Sequence, residues 1–373
     1  MSSVIGVDLG GTKVSVACLR GRKIGESVLQ PTDRSASGAL IDQLVAMVDR
    51  IRSDDLAAVG IGVPSVVEFA TGRVVSSVNI PLVDVPLRKV LGERLGVPVF
   101  VDNDATVAAL AEAHDPDLRL VARNLVMLTV GTGVGGGIVL GGRIYRGATG
   151  GAGEFGHTIV GLGLDDGAEV PAPGGTFPQR GSLEWAAAGH ALDRLTEQAA
   201  ESQAESALGE LKAQGKSVLG AEAVEAAEQG DAVAARIVEI WAERVGIGIA
   251  NAINTFDPEE VVIGGGAARA GELLLEPARR VASGYVVPGL GGKTSIRLAW
   301  HGVRAGVLGA ALLAAHEVEA GGGAENGDGG ENGADAGETV SSDPAATGRP
   351  APSTERAREA QQRLRANEEA SES

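Results

Sequence analysis

The sequence predicts an α/β protein built from two related lobes. Three observations carry this expectation. Short apolar, β-rich runs alternate with stretches of helical apolar spacing. Glycine is abundant, 56 of 373 residues, and much of it falls at turns beside those runs. One plan also occurs twice: VIGVDLGGTKVSVACL at 4–19 and VMLTVGTGVGGGIVL at 126–140 each read as apolar strand, glycine turn, apolar strand. A plan repeated near the start of each half suggests two lobes whose glycine turns face one cleft.

The elements follow in chain order. Val4–Asp8 and Lys13–Leu19 are β-rich and flank the first glycine turn. Across Ala39–Arg52, Leu40, Leu44, Met47, Val48 and Ile51 share a helical face. Ala57–Val63 and Val97–Val101 read as buried strands, and Thr106–Ala113 as a helix. Leu125–Val130 and Gly136–Leu140 form the second strand–turn–strand unit. Leu183 to Leu195, Ala221–Glu228 and Ala232–Asn251 read as helices, and Val261–Gly264 as a strand leading into a glycine turn and a helix. From Gly321 to Ser373 the composition changes, with eleven Asp/Glu, five Arg and few large apolar residues. Such a stretch cannot bury enough surface to offset its ordering entropy, so a disordered acidic tail is expected, with residues 354–366 spaced as a short exposed helix.

Composition excludes several functions. Lys and Arg total 32 against 49 Asp and Glu, a formal charge of −17, which argues against tracking a nucleic-acid backbone. Apolar residues make up 44% but aromatics only 3%, so the core must be built from Ala, Val, Leu and Ile. The single cysteine, Cys18, excludes internal disulfides and Cys-rich zinc sites. No run of about eighteen apolar residues occurs, so no membrane span is expected. The N-terminus has no basic segment before its first strand pattern, so a cytoplasmic protein is expected.

Six segments could carry chemistry. In Asp8-Leu9-Gly10-Gly11-Thr12-Lys13, glycine N–H groups can face an anion while Thr12 and Lys13 add donors, and Asp8 could hold Mg²⁺ through water. An ordinary tight hairpin would read the same way. Gly131-Thr132-Gly133-Val134-Gly135-Gly136 matches the dinucleotide spacing, but strand-like residues follow where that fingerprint needs a helix. A second phosphate-binding hairpin fits better. Gly264-Gly265-Gly266 follows a strand, where backbone could lie against a base or ribose, or simply turn. Asn103 and Asp104 stand at the carboxyl end of a buried strand, where α/β ligand clefts form, and either could instead cap the next helix. Glu154 and His157 lie in a glycine-rich loop and could both bond hydroxyls of a polyol, whereas metal ligation lacks a His or Cys at ligand spacing. Glu184 opens a helix, where it could do no more than favour the dipole. His114, His190, His301 and His316 are isolated and read as surface or packing residues.

The ordered set DLGGTK, NDA, GTGVGGGI, GGAGEFGH, RGSLE and FDPEEVVIGGGAARAG resembles the ROK family of repressors and sugar kinases, from about Val4 to Gly309. The resemblance implies an actin-like fold: two RNase H-like lobes at 1–115 and 116–320 around a nucleotide and sugar cleft, followed by the tail at 321–373. It implies ATP-dependent phosphorylation of a sugar primary hydroxyl, glucose foremost. Another hexose, an N-acetylhexosamine, a C7-cyclitol, or a sugar-sensing role without catalysis are the alternatives, and ATP against polyphosphate stays open. On this resemblance Asp104 matches the catalytic base, and Asn103, Glu154, His157, Glu184 and Asn79 match sugar contacts. Gly10 to Lys13 and Gly131 to Gly133 match phosphate loops, and Gly264 to Gly266 the adenosine motif. The cofactors implied are ATP and Mg²⁺, and a homo-oligomer, dimer or tetramer, is expected.

Two departures from the family pattern matter. Many members bind zinc with the His matched by His157 and three cysteines. Here Pro173, Phe177 and Ser182 occupy the cysteine places, so no structural zinc is expected and Phe177 with its neighbouring prolines is expected to hold the loop. Repressor members carry a winged helix-turn-helix before the first glycine turn. Only Met1 to Ser3 precede the first strand here, so a DNA-binding role is not expected.

Overall fold

The computed structural model describes residues 2–325 apart from Val78 and Asp165. The strands are β1 (Ser3–Leu9), β2 (Lys13–Arg20), β3 (Lys23–Ile24), β4 (Val28–Pro31), β5 (Leu56–Val63), β6 (Ser65–Glu68), β7 (Arg73–Ser77), β8 (Val99–Asn103), β9 (Leu125–Val130), β10 (Val134–Leu140), β11 (Arg143–Ile144), β12 (Glu260–Gly264) and β13 (Ser295–Leu298). The helices are α1 (Ser37–Ile51), α2 (Leu87–Leu95), α3 (Asp104–Glu112), α4 (Leu183–Ala187), α5 (Gly189–Ser202), α6 (Ala207–Ala213), α7 (Gly220–Glu228), α8 (Ala232–Phe256), α9 (Glu272–Tyr285) and α10 (Ala305–Glu325).

The repeat seen in the sequence is a repeat of topology. The first sheet runs β3-β2-β1-β5-β8, with β4 also on β2, and the second runs β11-β10-β9-β12-β13. In each, an antiparallel hairpin is followed by two parallel strands. Asp8 and Thr129 hold matching places, each two residues before the glycine turn between the hairpin strands.

Strand alternation decides what each sheet face meets. On β1, Ile5, Val7 and Leu9 join Leu40, Leu44, Met47 and Val48 of α1 in one core. On β9, Val126, Leu128 and Val130 face a core with α4, α5, α7, α8 and α9 that includes Trp241. Leu125 and Met127 instead join Val107, Leu110, Leu308 and Leu312 of α3 and α10. The layer formed by α3 and α10 therefore meets both sheets. As composition required, these cores are mostly Ala, Val, Leu and Ile; Trp241 is the largest fully buried side chain, and its Nε1 donates to Ala187 O at 2.8 Å.

The expected lobe boundary grouped residues up to 320 with the second sheet, but α10 packs on β1 and β5 of the first. Its close approach depends on residues without a Cβ. A Cβ on Gly60 would sit 1.8 Å from Ala310 O, and one on Gly6 would sit 2.0 Å from Val307 O. The helix also runs to Glu325, past the point where the tail was expected to begin. The rest of that tail, including 354–366, lies outside the described residues.

Other differences are local. The helix expected over Leu183 to Leu195 is two helices. Ala188 is extended, with ψ 168°, and the Gly189 N–H leaves the helical pattern to donate to Gly131 O at 2.7 Å. Arg194 donates to Trp185 O at 2.6 Å, satisfying a carbonyl at the break. Helix α8 continues five residues beyond Asn251, because Ala252 and Ile253 extend its buried face, and it stops where Asp257 turns left-handed at φ 43°.

Candidate active site

Asp8 shares the face of β1 that carries Val4 and Gly6, so it points toward α10 and the space between the sheets. There a cavity of about 830 Å³ gathers Asp8, Lys13, Asn79, Asn103, Asp104, Gly131, Thr132, Gly133, Glu154, His157, Glu184 and Gly265. These residues come from most of the segments singled out in the sequence, and residues 8 and 265 are far apart in the chain. The cavity also takes in Thr129, the counterpart of Asp8, and Gly306.

Asp104 opens α3, and its Oδ1 accepts from the Ala105 N–H at 2.8 Å. Burial pushes its carboxyl above the ordinary carboxylate range; bonds to backbone N–H groups oppose this, and the charge of Glu154 adds to it. Asp8 is pushed up to about 6, first by burial, then by the charge of Asp104, with Lys13 opposing. A Cβ on Gly306 would lie 2.6 Å from Asp8 Cγ, so α10 reaches this carboxylate only because that residue is glycine. The Asp8 carboxylate offers hard oxygens suited to a magnesium ion that keeps several waters and also meets phosphate oxygens.

The helix cap is Asn103, whose Oδ1 accepts from Ala105 N at 2.9 Å and Thr106 N at 3.1 Å. Its Nδ2 donates to Ser65 O at 3.4 Å, which leaves one amide hydrogen for a ligand. Glu184 is tied to the second glycine turn, accepting from Val134 N at 2.7 Å. Glu154 and His157 approach each other at 3.7 Å on an exposed part of the wall. The Phe177 ring lies edge-on to His157, with centroids 5.2 Å apart. With one cysteine in the chain, three thiolates are not there to hold this loop; an aromatic contact stands beside the imidazole instead.

The glycine turns behave differently from one another. Gly10 N donates to Lys13 O at 2.9 Å and Thr32 Oγ1 donates to Gly10 O at 2.6 Å, closing the first turn. Gly10, Gly11 and Thr12 themselves do not line the cavity, and Gly11 packs against Asn79 Cβ. The second turn leads into β10, in agreement with a hairpin rather than a dinucleotide fold. Gly264 is the buried last residue of β12 and lies outside the cavity. Gly265 has φ 80°, and a Cβ there would meet Val130 O at 2.4 Å.

Gly266 faces a neighbouring pocket of about 470 Å³ that adjoins Gly131 and Thr132. Its walls come from Leu192 and Asp193 of α5, Val224 and Glu225 of α7, Trp241 of α8, and Ala267 and Arg269. Sequence reasoning missed this helical wall, because its residues read as ordinary amphipathic faces. A mostly apolar slot next to a phosphate-sized turn is what a base and ribose need, and what a simple phosphate chain does not.

Two sheets of one strand order flanking a cleft define an actin-like fold. Within that class the chain belongs to the ROK family, whose model matches residues 4–317. A glucokinase of Halalkalibacterium halodurans is 37% identical over 326 residues, covering 83% of this chain and 94% of its own. A xylose repressor of Caldicellulosiruptor bescii is 31% identical over 295 residues, covering 75% of this chain and 70% of its own. The structure of a ROK family glucokinase from Streptomyces griseus in complex with glucose and AMPPNP aligns with a TM-score of 0.66 at 31% identity, covering 84% of this chain and 100% of that one. No described helix is long and apolar enough to cross a membrane.

Proposed function

We propose that this protein is an ATP-dependent sugar kinase that transfers the γ-phosphoryl group to the primary hydroxyl of glucose. The observation that carries the reading is the position of Asp104. Its carboxyl, raised by burial, shares one cavity with Glu154, His157, Lys13 and the second glycine turn, which Glu184 braces. In this reading Glu154, His157, Asn79 and the free amide hydrogen of Asn103 bind sugar hydroxyls, while Glu184 braces the turn at Val134 and reaches the sugar with its other oxygen. Asp104 takes the hydroxyl proton as the oxygen attacks phosphorus in line, and ADP leaves. Lys13 and the N–H groups of the second turn steady the phosphates. Asp8 would hold Mg²⁺, which supplies charge neutralisation on the phosphate oxygens.

The slot beside Gly266 supports a base-bearing donor over polyphosphate. The glucokinase relatives support glucose over another hexose, an N-acetylhexosamine or a cyclitol. A cytoplasmic homo-oligomer belongs to the same proposal. The test is ADP release, measured by coupled assay, across sugars and cyclitols with ATP and with polyphosphate as donors. Glucose with ATP is expected to give the highest kcat/KM. Glucose binding without any ADP release would overturn the reading in favour of a sensing protein.

A further inference from the structure

Asp102 precedes the Asn103–Asp104 pair, and none of the reaction steps above uses it. It is 2% exposed, yet it is ionisable. Its Oδ2 accepts from Arg146 Nε at 2.7 Å and its Oδ1 from Asn103 N at 2.9 Å. Arg146 in turn meets more than this one carboxylate. Its guanidinium lies 3.4 Å over the Phe69 ring, in the turn between β6 and β7, and its Nη2 lies 3.6 Å from Glu317 of α10. The carbonyl of Arg146 accepts from Ala152 N at 3.1 Å, closing the loop that leads to Glu154 and His157. Gly150, within that loop, lies so close to Val67 O that a Cβ would sit 2.2 Å away.

The juxtaposition has a consequence for the cleft. The base-bearing strand end belongs to the first sheet, whereas the loop after β11 belongs to the second. We infer that Arg146 is a positioning residue for phosphoryl transfer: it sets the separation between Asp104 and the loop carrying Glu154 and His157. A planar guanidinium can do this where an ammonium cannot. It sits over the Phe69 ring while its Nε donates to Asp102, so its orientation is fixed as well as its charge. Misplacement of reacting groups by about 1 Å can cost on the order of 10²-fold in rate, so a tether two residues from the base has leverage on turnover. The inference rests on the assignment of the base and the acceptor pocket made above.

The test uses Arg146→Lys and the double variant Asp102→Asn/Arg146→Met. The first keeps the charge and loses the planar contact; the second removes both charges, so that no unpaired carboxylate is left buried. Each is expected to melt within a few degrees of wild type and to show a glucose KM raised about tenfold and a kcat lowered about tenfold, with ATP KM within about twofold. Hydrogen exchange without ligands should quicken at residues 147–157 in both. Wild-type kinetics together with wild-type exchange in either variant would overturn the inference, as would an ATP KM that moves as far as the glucose KM. If the double variant does not fold, the Lys variant decides alone. If wild-type protein does not phosphorylate glucose, the functional reading fails instead, and exchange at 147–157 decides whether the tether exists.

Discussion

Replacing Asp8 with Asn should abolish turnover and yet stabilise the protein, and the pH dependence of that gain tests the electrostatics of the cleft. The Asp8 carboxyl stands at about 6 against an ordinary 3.8. Two units correspond to about 3 kcal/mol of preference for the protonated form in the folded state. The folded chain holds this proton more tightly than the unfolded chain. The cost of ionising Asp8 is therefore almost absent near pH 4, grows as pH rises between the two values, and is complete above about pH 7. An amide carries no such cost. At about 2.1 cal/mol/K per residue for the unfolding entropy, 3 kcal/mol spread over this body is a melting-temperature rise of roughly 4 °C. The assay is thermal unfolding of wild type and Asp8→Asn without nucleotide or Mg²⁺. The variant should melt roughly 4 °C higher at pH 8, about half that near pH 5, and level with wild type at pH 4. A difference independent of pH, or a fall at pH 8, would refute the reasoning. Addition of MgADP should raise the melting temperature of wild type more than that of the variant, since only wild type keeps the carboxylate.

Four further outcomes are expected. Asp104→Asn should lower kcat by roughly 10²–10⁴-fold while glucose affinity by calorimetry stays within a few-fold, because an amide keeps shape and loses basicity. Glu154→Ala and His157→Ala should each raise glucose KM by more than ATP KM; steady-state kinetics with each substrate varied decides this, and the reverse order would move these residues to the nucleotide side. Gly60→Ala should leave little folded protein by circular dichroism, since its Cβ would press on Ala310 O at 1.8 Å, inside any tolerable contact. Elemental analysis should find no stoichiometric zinc, while EDTA should stop turnover by removing Mg²⁺ from ATP without lowering the melting temperature.

The cleft also explains why the chain carries one plan twice. The first strand of the second unit carries Thr129 where that of the first carries Asp8. One copy thus contributes a carboxylate to the cavity and the other a hydroxyl, and of the two glycine turns only the second lines it.

Much of this was legible in the chain because local rules determine it. Alternation and glycine turns marked β1, β2, β5, β9, β10 and β12, and the helical face of α1 stood out as Leu40, Leu44, Met47 and Val48. The ordered motifs singled out Asp8, Asp104, Glu154, His157 and Glu184, which the fold brings into one cavity. What remained depends on contacts between distant segments. Asn103 and Asp104 read equally well as caps, and only the path of β8 into α3 decided that Asn103 caps. The helix break at Ala188 arises because Gly189 bonds Gly131, nearly sixty residues earlier, and local propensity carries no trace of that. The return of α10 to the first sheet rests on the absence of Cβ atoms at Gly6 and Gly60. The pairing of Asp102 with Arg146 could not be read from either residue alone, because burial is a property of the assembled core: it turns an ordinary aspartate into one that must have a partner.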